Sequence, residues 1–151
     1  MKTTMELALL CIMLGIAGCD WHDSPTGPDH AVPDIEGAYG GTAHYEGGDP
    51  AYQEFDVTIH FALRQDWRDL GGKWTAKLPS GSEERYDISG RILEGRIEMD
   101  LEPQGTGGYP YRISCQFDHD PAGGRDTLAG DGHYPDSCVG CYSFSFWARR
   151  E

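Results

Sequence analysis

From Phe55 to Arg64 the chain reads Phe-Asp-Val-Thr-Ile-His-Phe-Ala-Leu-Arg, apolar at every odd position and polar at most even ones. Successive strand residues point to opposite faces, so a period of two describes a strand with one buried and one wet face. A helix would scatter Phe55, Val57, Ile59 and Phe61 around its axis. The same period returns, more weakly, in seven other segments. Residues 37–45 set Tyr39, Ala43 and Tyr45 on one face, and residues 70–78 set Trp74, Ala76 and Leu78 together. Residues 85–92 offer Tyr86, Ile88 and Ile92; residues 96–101 offer Ile97, Met99 and Leu101. Residues 109–117 offer Tyr111, Ile113, Cys115 and Phe117. Residues 127–134 are thin, with Leu128 and Tyr134 separated by Gly130 and Gly132. Residues 141–149 close the series with Tyr142, Phe144 and Phe146.

Breakers separate these runs: Gly47-Gly48-Asp49-Pro50, Pro79-Ser80-Gly81-Ser82, Glu94-Gly95, and the Gly-rich stretches 104–108 and 121–124. Glu94-Gly95 reads as a tight hairpin. No segment combines helix caps with a period of 3.6. The prediction is an all-β fold, an eight-stranded antiparallel up-and-down meander closing into a small barrel. A two-sheet β-sandwich is the alternative. Closure removes the edges of an open meander, and eight strands enclose room for packed side chains or for one small ligand. The Gly-rich start at residues 37–42 and the final Phe-Ser-Phe-Trp-Ala-Arg strand resemble small lipoprotein barrels of the lipocalin-like or avidin-like type. The resemblance is one of layout. The Trp and Asn signatures of those families are missing, so it implies no ligand. An outer-membrane barrel also alternates, but needs strands of about 9–11 residues and aromatic girdles. Most segments read here are shorter.

The N-terminal residues follow another logic. Lys2 supplies a positive charge, and an apolar run extends from Leu7 to Ile16. That length suits the apolar region of a secretory signal and falls short of the roughly 20 residues that span a bilayer. Ile16-Ala17-Gly18-Cys19 then resembles the lipobox of bacterial lipoproteins. The resemblance implies a diacylglyceryl group on the Cys19 thiol, cleavage before Cys19, and three acyl chains in the mature protein. Several chains are needed because one acyl chain anchors only weakly. Glu6 departs from the usual signal pattern by its nearness to the apolar run. Asp20 follows the cysteine, and in some proteobacteria an Asp there retains a lipoprotein on the inner membrane.

The expected organisation is a signal peptide over residues 1–18, a lipidated cysteine and flexible tether over 19–35, and a β-barrel domain over 36–151. Three prolines, a glycine and many polar groups between Asp20 and Asp34 leave little to pack. The formal net charge is −13, and loss of Lys2 and Glu6 with the signal leaves it unchanged. An acidic surface disfavours nucleic acid and anionic headgroups, both polyanions, and suits a basic partner. It also keeps an exported domain soluble.

Five cysteines are present. Cys11 leaves with the signal and Cys19 is lipidated. Cys115, Cys138 and Cys141 remain as disulfide candidates in a compartment that permits disulfides. Cys115–Cys138 is the first choice and Cys138–Cys141 the local competitor. Cys138-x-x-Cys141 also suggests a redox pair, which would need a helix N-terminus to lower the thiol pKa. Alternatively, His133, Cys138 and Cys141 are weak zinc candidates, with Cys115 or Asp136 as a fourth ligand.

Asp118, Asp120 and Asp126 around Gly123 faintly resemble a calcium loop, but Ala122 and Ala129 occupy positions that need acids. A polar turn explains the same residues. His22 and His30 in the tether could hold a metal only loosely. His60, His119 and His133 have acids nearby in sequence, yet nothing fixes their mutual geometry for acid–base work. Trp67, Trp74 and Trp147 read as core or rim packing. No nucleophile elbow, phosphate-binding loop or zinc-protease motif occurs.

The expected function is therefore a non-enzymatic binding or interaction module. It would be monomeric, lipid-anchored at the cell membrane, facing the periplasm or cell exterior, without a cofactor. Its partner would be a small apolar ligand in a barrel mouth or a basic protein on an acidic rim. Inhibition of a basic hydrolase, a metal-dependent enzyme and a structural envelope lipoprotein are the alternatives.

Overall fold

Alternating burial carries through eight strands of a computed structural model, which describes residues 32–47, 53–106, 108–135 and 141–151. They are β1 (Gly37–Gly47), β2 (Phe55–Asp66), β3 (Asp69–Lys77), β4 (Glu83–Leu93), β5 (Arg96–Pro103), β6 (Tyr111–Asp118), β7 (Thr127–His133) and β8 (Tyr142–Arg150). Each pairs antiparallel with the next, and β1 pairs with β8 from Tyr39↔Arg150 to Gly47↔Tyr142. The result is a closed eight-stranded meander barrel, so no strand edge is left unpaired. The sandwich alternative is excluded. The signal, the lipobox with Cys19, and most of the expected tether lie outside the described residues.

The β2 pattern shows why the barrel forms. Val57, Ile59, Phe61 and Leu63 are buried while Asp56, Thr58, His60 and Arg64 are exposed. Repeated around the barrel, this produces an apolar inside and a polar outside. Aromatic rings stack along the interior in a continuous chain. Tyr39 lies on Phe61 at 5.1 Å between centroids, and Phe61 lies on Trp74 at 4.8 Å. Phe146 meets Trp74 edge-on at 5.4 Å, and Phe144 stacks on Tyr45 at 4.8 Å. Such ring pairs add about 0.5–1.5 kcal/mol beyond the area they bury. Trp74 is fully buried. With Ile59, Met99, Leu101, Ile113 and Leu128 also buried, side chains occupy the middle of the barrel.

The thin seventh strand has a steric reason. A methyl group at Gly132 would come within 2.2 Å of the Phe144 ring on the neighbouring strand, and one at Gly130 within 2.4 Å of Cys115 Cβ. Gly132 leaves space for the Phe144 ring and Gly130 for the close approach of Cys115, so β7 carries few apolar side chains and still pairs with β6 and β8.

The two ends of the barrel differ. At one end lie the two-residue turns Trp67-Arg68 and Glu94-Gly95, the loop 119–126, the start of β1 and the end of β8. Gly95 has φ 78, as the expected tight hairpin requires. Trp67 has φ 54, a left-handed conformation that costs a bulky residue about 1–2 kcal/mol. Its carbonyl accepts from Gln65 Nε2 at 2.8 Å, and the Arg68 guanidinium sits 5.2 Å from its ring.

The segment 32–36 straps this same end. Ile35 is fully buried, and its amide donates to Gln65 Oε1 at 2.9 Å. Gln65 Nε2 returns a bond to the Pro33 carbonyl at 3.0 Å. Residues 32–35, expected to belong to the tether, are thus part of the barrel body, because Val32 and Ile35 supply apolar side chains that pack on the core. At the other end, called here the loop end, lie the links after β1, β3, β5 and β7.

Strand length does not separate this barrel from a membrane-spanning one, since β1, β2, β3, β4 and β8 run 9 to 12 residues. The outer surface does. Cross-strand pairs Arg91–Asp69 and Arg112–Asp100, both at 3.0 Å, stand where lipid would lie, as does Lys73–Asp87. A Lys or Arg facing lipid at mid-bilayer would cost about 2–4 kcal/mol. In water each exposed pair contributes about 0–1 kcal/mol.

Substituting Gly132→Ala should overpack the interior against Phe144 and lower stability by about 1–3 kcal/mol. Urea denaturation of the two proteins would measure it, and an unchanged midpoint would contradict the packing account of β7.

Candidate functional site

The loop end gathers aromatic rings around an inner-facing acid of β4. Tyr45, Tyr86 and Tyr111 are inner-facing and buried near the ends of β1, β4 and β6. Tyr111 meets Tyr45 and Tyr86 edge-on, each at 6.2 Å, and Phe55 stacks on Tyr45 at 5.2 Å. Glu84, two residues before Tyr86 on the same inner-facing side of β4, is half-buried. Tyr86 donates its hydroxyl proton to Glu84 Oε2 at 2.7 Å. Burial pushes all three phenols above their ordinary pKa, Tyr111 to about 12, and the Glu84 carboxylate adds to each shift. These phenols therefore stay protonated at neutral pH, as the hydrogen bond from Tyr86 to Glu84 requires.

Beside them opens a cleft of about 410 Å³, lined by Glu83, Glu84, Arg85 and Tyr86 from β4 and by Pro103, Gln104, Gly105, Thr106 and Gly108 from the end of β5 and the following loop. Clefts of about 300–1,000 Å³ are typical of ligand sites. Gly108 is required there by close approach, since a methyl group would come within 2.6 Å of Pro103 Cβ. Gln104 is held by its amide, which donates to the Arg85 carbonyl at 2.8 Å, and by its side chain, which donates to Asp87 Oδ1 at 2.9 Å.

The strap end carries a separate polar network. Asp126 is buried and accepts from the Asp120 amide at 3.2 Å, from His119 Nδ1 at 2.8 Å and from Arg150 at 3.0 Å. Arg150 also donates to the Tyr39 hydroxyl at 3.2 Å and the Asp34 carbonyl at 2.6 Å. Tyr39 donates in turn to the Ile35 carbonyl at 3.0 Å. Desolvation pushes the Asp126 carboxyl up, but His119, the Asp120 amide and Arg150 together outweigh it and hold its pKa below the ordinary aspartate value. The network ties the strap, β1, the β6–β7 loop and β8 together. It is structural in its geometry, since each oxygen of Asp126 already has a partner.

The residues singled out in the sequence scatter. Cys115 is an inner-facing free thiol, 2% exposed, which corrects the expected Cys115–Cys138 bridge. It stands opposite Gly130 in the β6–β7 ladder, away from the end of β7. Cys141 is engaged by a partner, and Cys138 and Asp136 lie outside the described residues. His133 is exposed at the loop end of β7, on the opposite face of the barrel wall from Cys115, so those two proposed zinc ligands do not converge. Among the described residues no three His, Cys, Asp or Glu side chains form a metal-holding group.

The calcium-loop acids have internal uses. Asp120 Oδ1 accepts from the Ala122 amide at 2.9 Å and Asp126 holds the network above. That is the polar-turn reading. His60 pairs with Glu151 at 3.2 Å on the outside of β2. His22 and His30 lie outside the described residues. Trp74 is core, as expected, but Trp67 and Trp147 are exposed by 73% and 45%. Trp67 occupies a turn tip and Trp147 the outer face of β8, and neither position packs inward.

The cleft itself was not foreseen. Its one sequence signal is Glu84, an acid at an inner-facing position two residues before Tyr86, where the alternation calls for an apolar side chain. Comparison with known protein families, curated proteins and solved structures finds no match to this chain.

Burial raises the Cys115 thiol pKa to about 12, so almost no thiolate exists at pH 8. The native protein should leave Cys115 unmodified by iodoacetamide at pH 8, with alkylation appearing only in denaturant; peptide mass mapping would detect rapid native labelling if the interior were open.

For Asp126, the folded carboxyl titrates below the unfolded value of about 3.9. Its stabilising contribution is full above that range and is withdrawn as pH falls through it. Asp126→Asn should be less stable than the parent at pH 7 and should lose less further stability between about pH 5 and pH 2. Parallel denaturation curves at both ends of the window would decide, and identical pH slopes would count against the network.

Proposed function

We propose that this chain is a lipid-anchored, non-catalytic binding module whose loop end faces away from the membrane. What supports the reading is the polarity of the barrel. The strap 32–36 leads into the core at one end, and the cleft opens beside the links of the other. In this proposal Cys19 carries the lipid and residues 20–31 bridge lipid and strap. Fully extended, they reach at most about 40 Å. The anchored domain is monomeric and faces the periplasm or the cell exterior.

The filled interior shifts the choice of partner. A barrel whose middle is occupied by Trp74, Phe61, Phe146 and Met99 leaves the surface as the place to bind, which favours a protein over a small apolar ligand held inside. The net charge of −13 suits a basic partner through long-range attraction. Inhibition of a basic hydrolase is one form of this same reading.

Expression of the full chain in a bacterial host, followed by membrane fractionation and intact-mass analysis, tests the anchor. The chain should travel with membranes and carry acyl mass on Cys19, and Cys19→Ala should move it to the soluble fraction without acyl mass. Membrane association that survives Cys19→Ala would defeat the lipoprotein reading.

A further inference from the structure

We infer that the Glu84–Tyr86 cleft at the loop end receives the cationic head of an arginine or lysine side chain from a protein partner. This deepens the binding-module reading and rests on it for the source of the cation, while the chemistry rests on the cleft alone.

The argument begins with charge balance. Glu84 is half-buried on the inner-facing side of β4, where a ligand that displaces the water left on its carboxylate must offer it a donor in exchange. The only hydrogen bond it receives among the described residues is from the Tyr86 hydroxyl, on Oε2. One neutral donor leaves the other oxygen without a partner there. Lys77, opposite Glu83 in the β3–β4 ladder, is exposed at an outward position of its strand, and other cations of the neighbouring strands have acids of their own. Arg85, which lines the same cleft, is drawn to Glu83 at 3.2 Å. Lys73 is paired with Asp87, and Arg112 with Asp100 at 3.0 Å. None of the ion pairs among the described residues includes Glu84.

The walls fit the same ligand. A side-chain head entering the cleft comes to the half-buried Glu84 carboxylate, among Pro103, Gln104, Gly105, Thr106 and Gly108, with Tyr86 beside Pro103 in the β4–β5 ladder. A planar guanidinium can donate to a carboxylate with its fork of N–H groups, and an ammonium can do so as a point charge. Gly108 lets the loop after β5 lie close against Pro103 at the cleft, since a methyl group there would come within 2.6 Å of Pro103 Cβ and 3.8 Å of the Tyr86 hydroxyl. An anionic ligand would meet the uncompensated Glu84 charge. An apolar one would leave Glu84 desolvated with no new partner.

The test uses the full chain purified from membranes in detergent and three small probes. They are acetyl-Gly-Arg-Gly-amide, its citrulline counterpart, which is neutral and nearly isosteric, and methylguanidinium as the free cation. Binding is read by NMR shift perturbation and calorimetry. The arginine peptide should shift Glu84, Tyr86, Thr106 and Gly108, and bind at least about tenfold more tightly than the citrulline peptide, as the loss of a charged hydrogen bond implies. Glu84→Gln should weaken the arginine peptide by a similar factor. Glu94→Gln, in the hairpin at the opposite end of the barrel, should retain binding, and a dispersed amide spectrum of Glu84→Gln should show that the fold survives change at this site. Equal binding of the arginine and citrulline peptides, or an unchanged Glu84→Gln, would overturn the proposal. Methylguanidinium binding as tightly as the peptide would overturn the assignment to a protein segment. None of these outcomes bears on the Cys19 anchor, which fractionation decides separately.

Discussion

The ladder that joins β1 to β8, from Tyr39↔Arg150 to Gly47↔Tyr142, is the constraint on which the rest of the molecule depends. Without it the meander would be an open sheet with two unpaired edges and a half-covered apolar face. With it, the inner-facing side chains of all eight strands meet in one space. Tyr39, Phe61, Trp74, Phe146, Phe144 and Tyr45 then form a single run of ring contacts. The closure and the filling support one another. The rings can pack only if the wall surrounds them, and β7 gives up side chains at Gly130 and Gly132 where Cys115 and the Phe144 ring take the space.

Closure also makes the ends of the barrel the places where chemistry can differ, because the wall itself is a uniform alternation. The strap end is sealed by buried Ile35 and by the bonds that radiate from Asp126, Arg150 and Gln65. The polar groups of the Asp126 network satisfy one another. The loop end is built on the opposite principle. Its inner-facing acid, Glu84, is answered among the described residues by a single tyrosine hydroxyl, beside an open cleft. A network whose members are all satisfied holds structure together; a charge left without a counter-ion invites one from outside.

Much of this architecture was legible in the amino-acid sequence. The run Phe55 to Arg64 and its seven weaker repeats located all eight strands, and Glu94-Gly95 marked its hairpin. The turn Trp67-Arg68 carried no such mark, because it holds a bulky residue at positive φ with bonds from Gln65 instead of using glycine. The site was less legible. His133, Cys138 and Cys141 are residue types that often bind metals and stand out in the sequence, whereas nothing in the sequence distinguishes Glu84 from a surface acid except its place in the alternation. The proline-rich character of residues 20–34 also concealed that Ile35 belongs to the core.

The sequence by itself determined the all-β class, the strand order and which side chains face inward, since the two-residue period is a local property that each segment carries independently. It also set the signal-like N-terminal pattern and the acidic charge. Only the tertiary structure decided that the barrel closes, that Cys115 stays a free thiol opposite Gly130, that Ile35 and Arg150 seal one end, and that Glu84 meets Tyr86 beside a cleft at the other. Those outcomes depend on which residues far apart in the chain become neighbours once β1 reaches β8, and no local period encodes that.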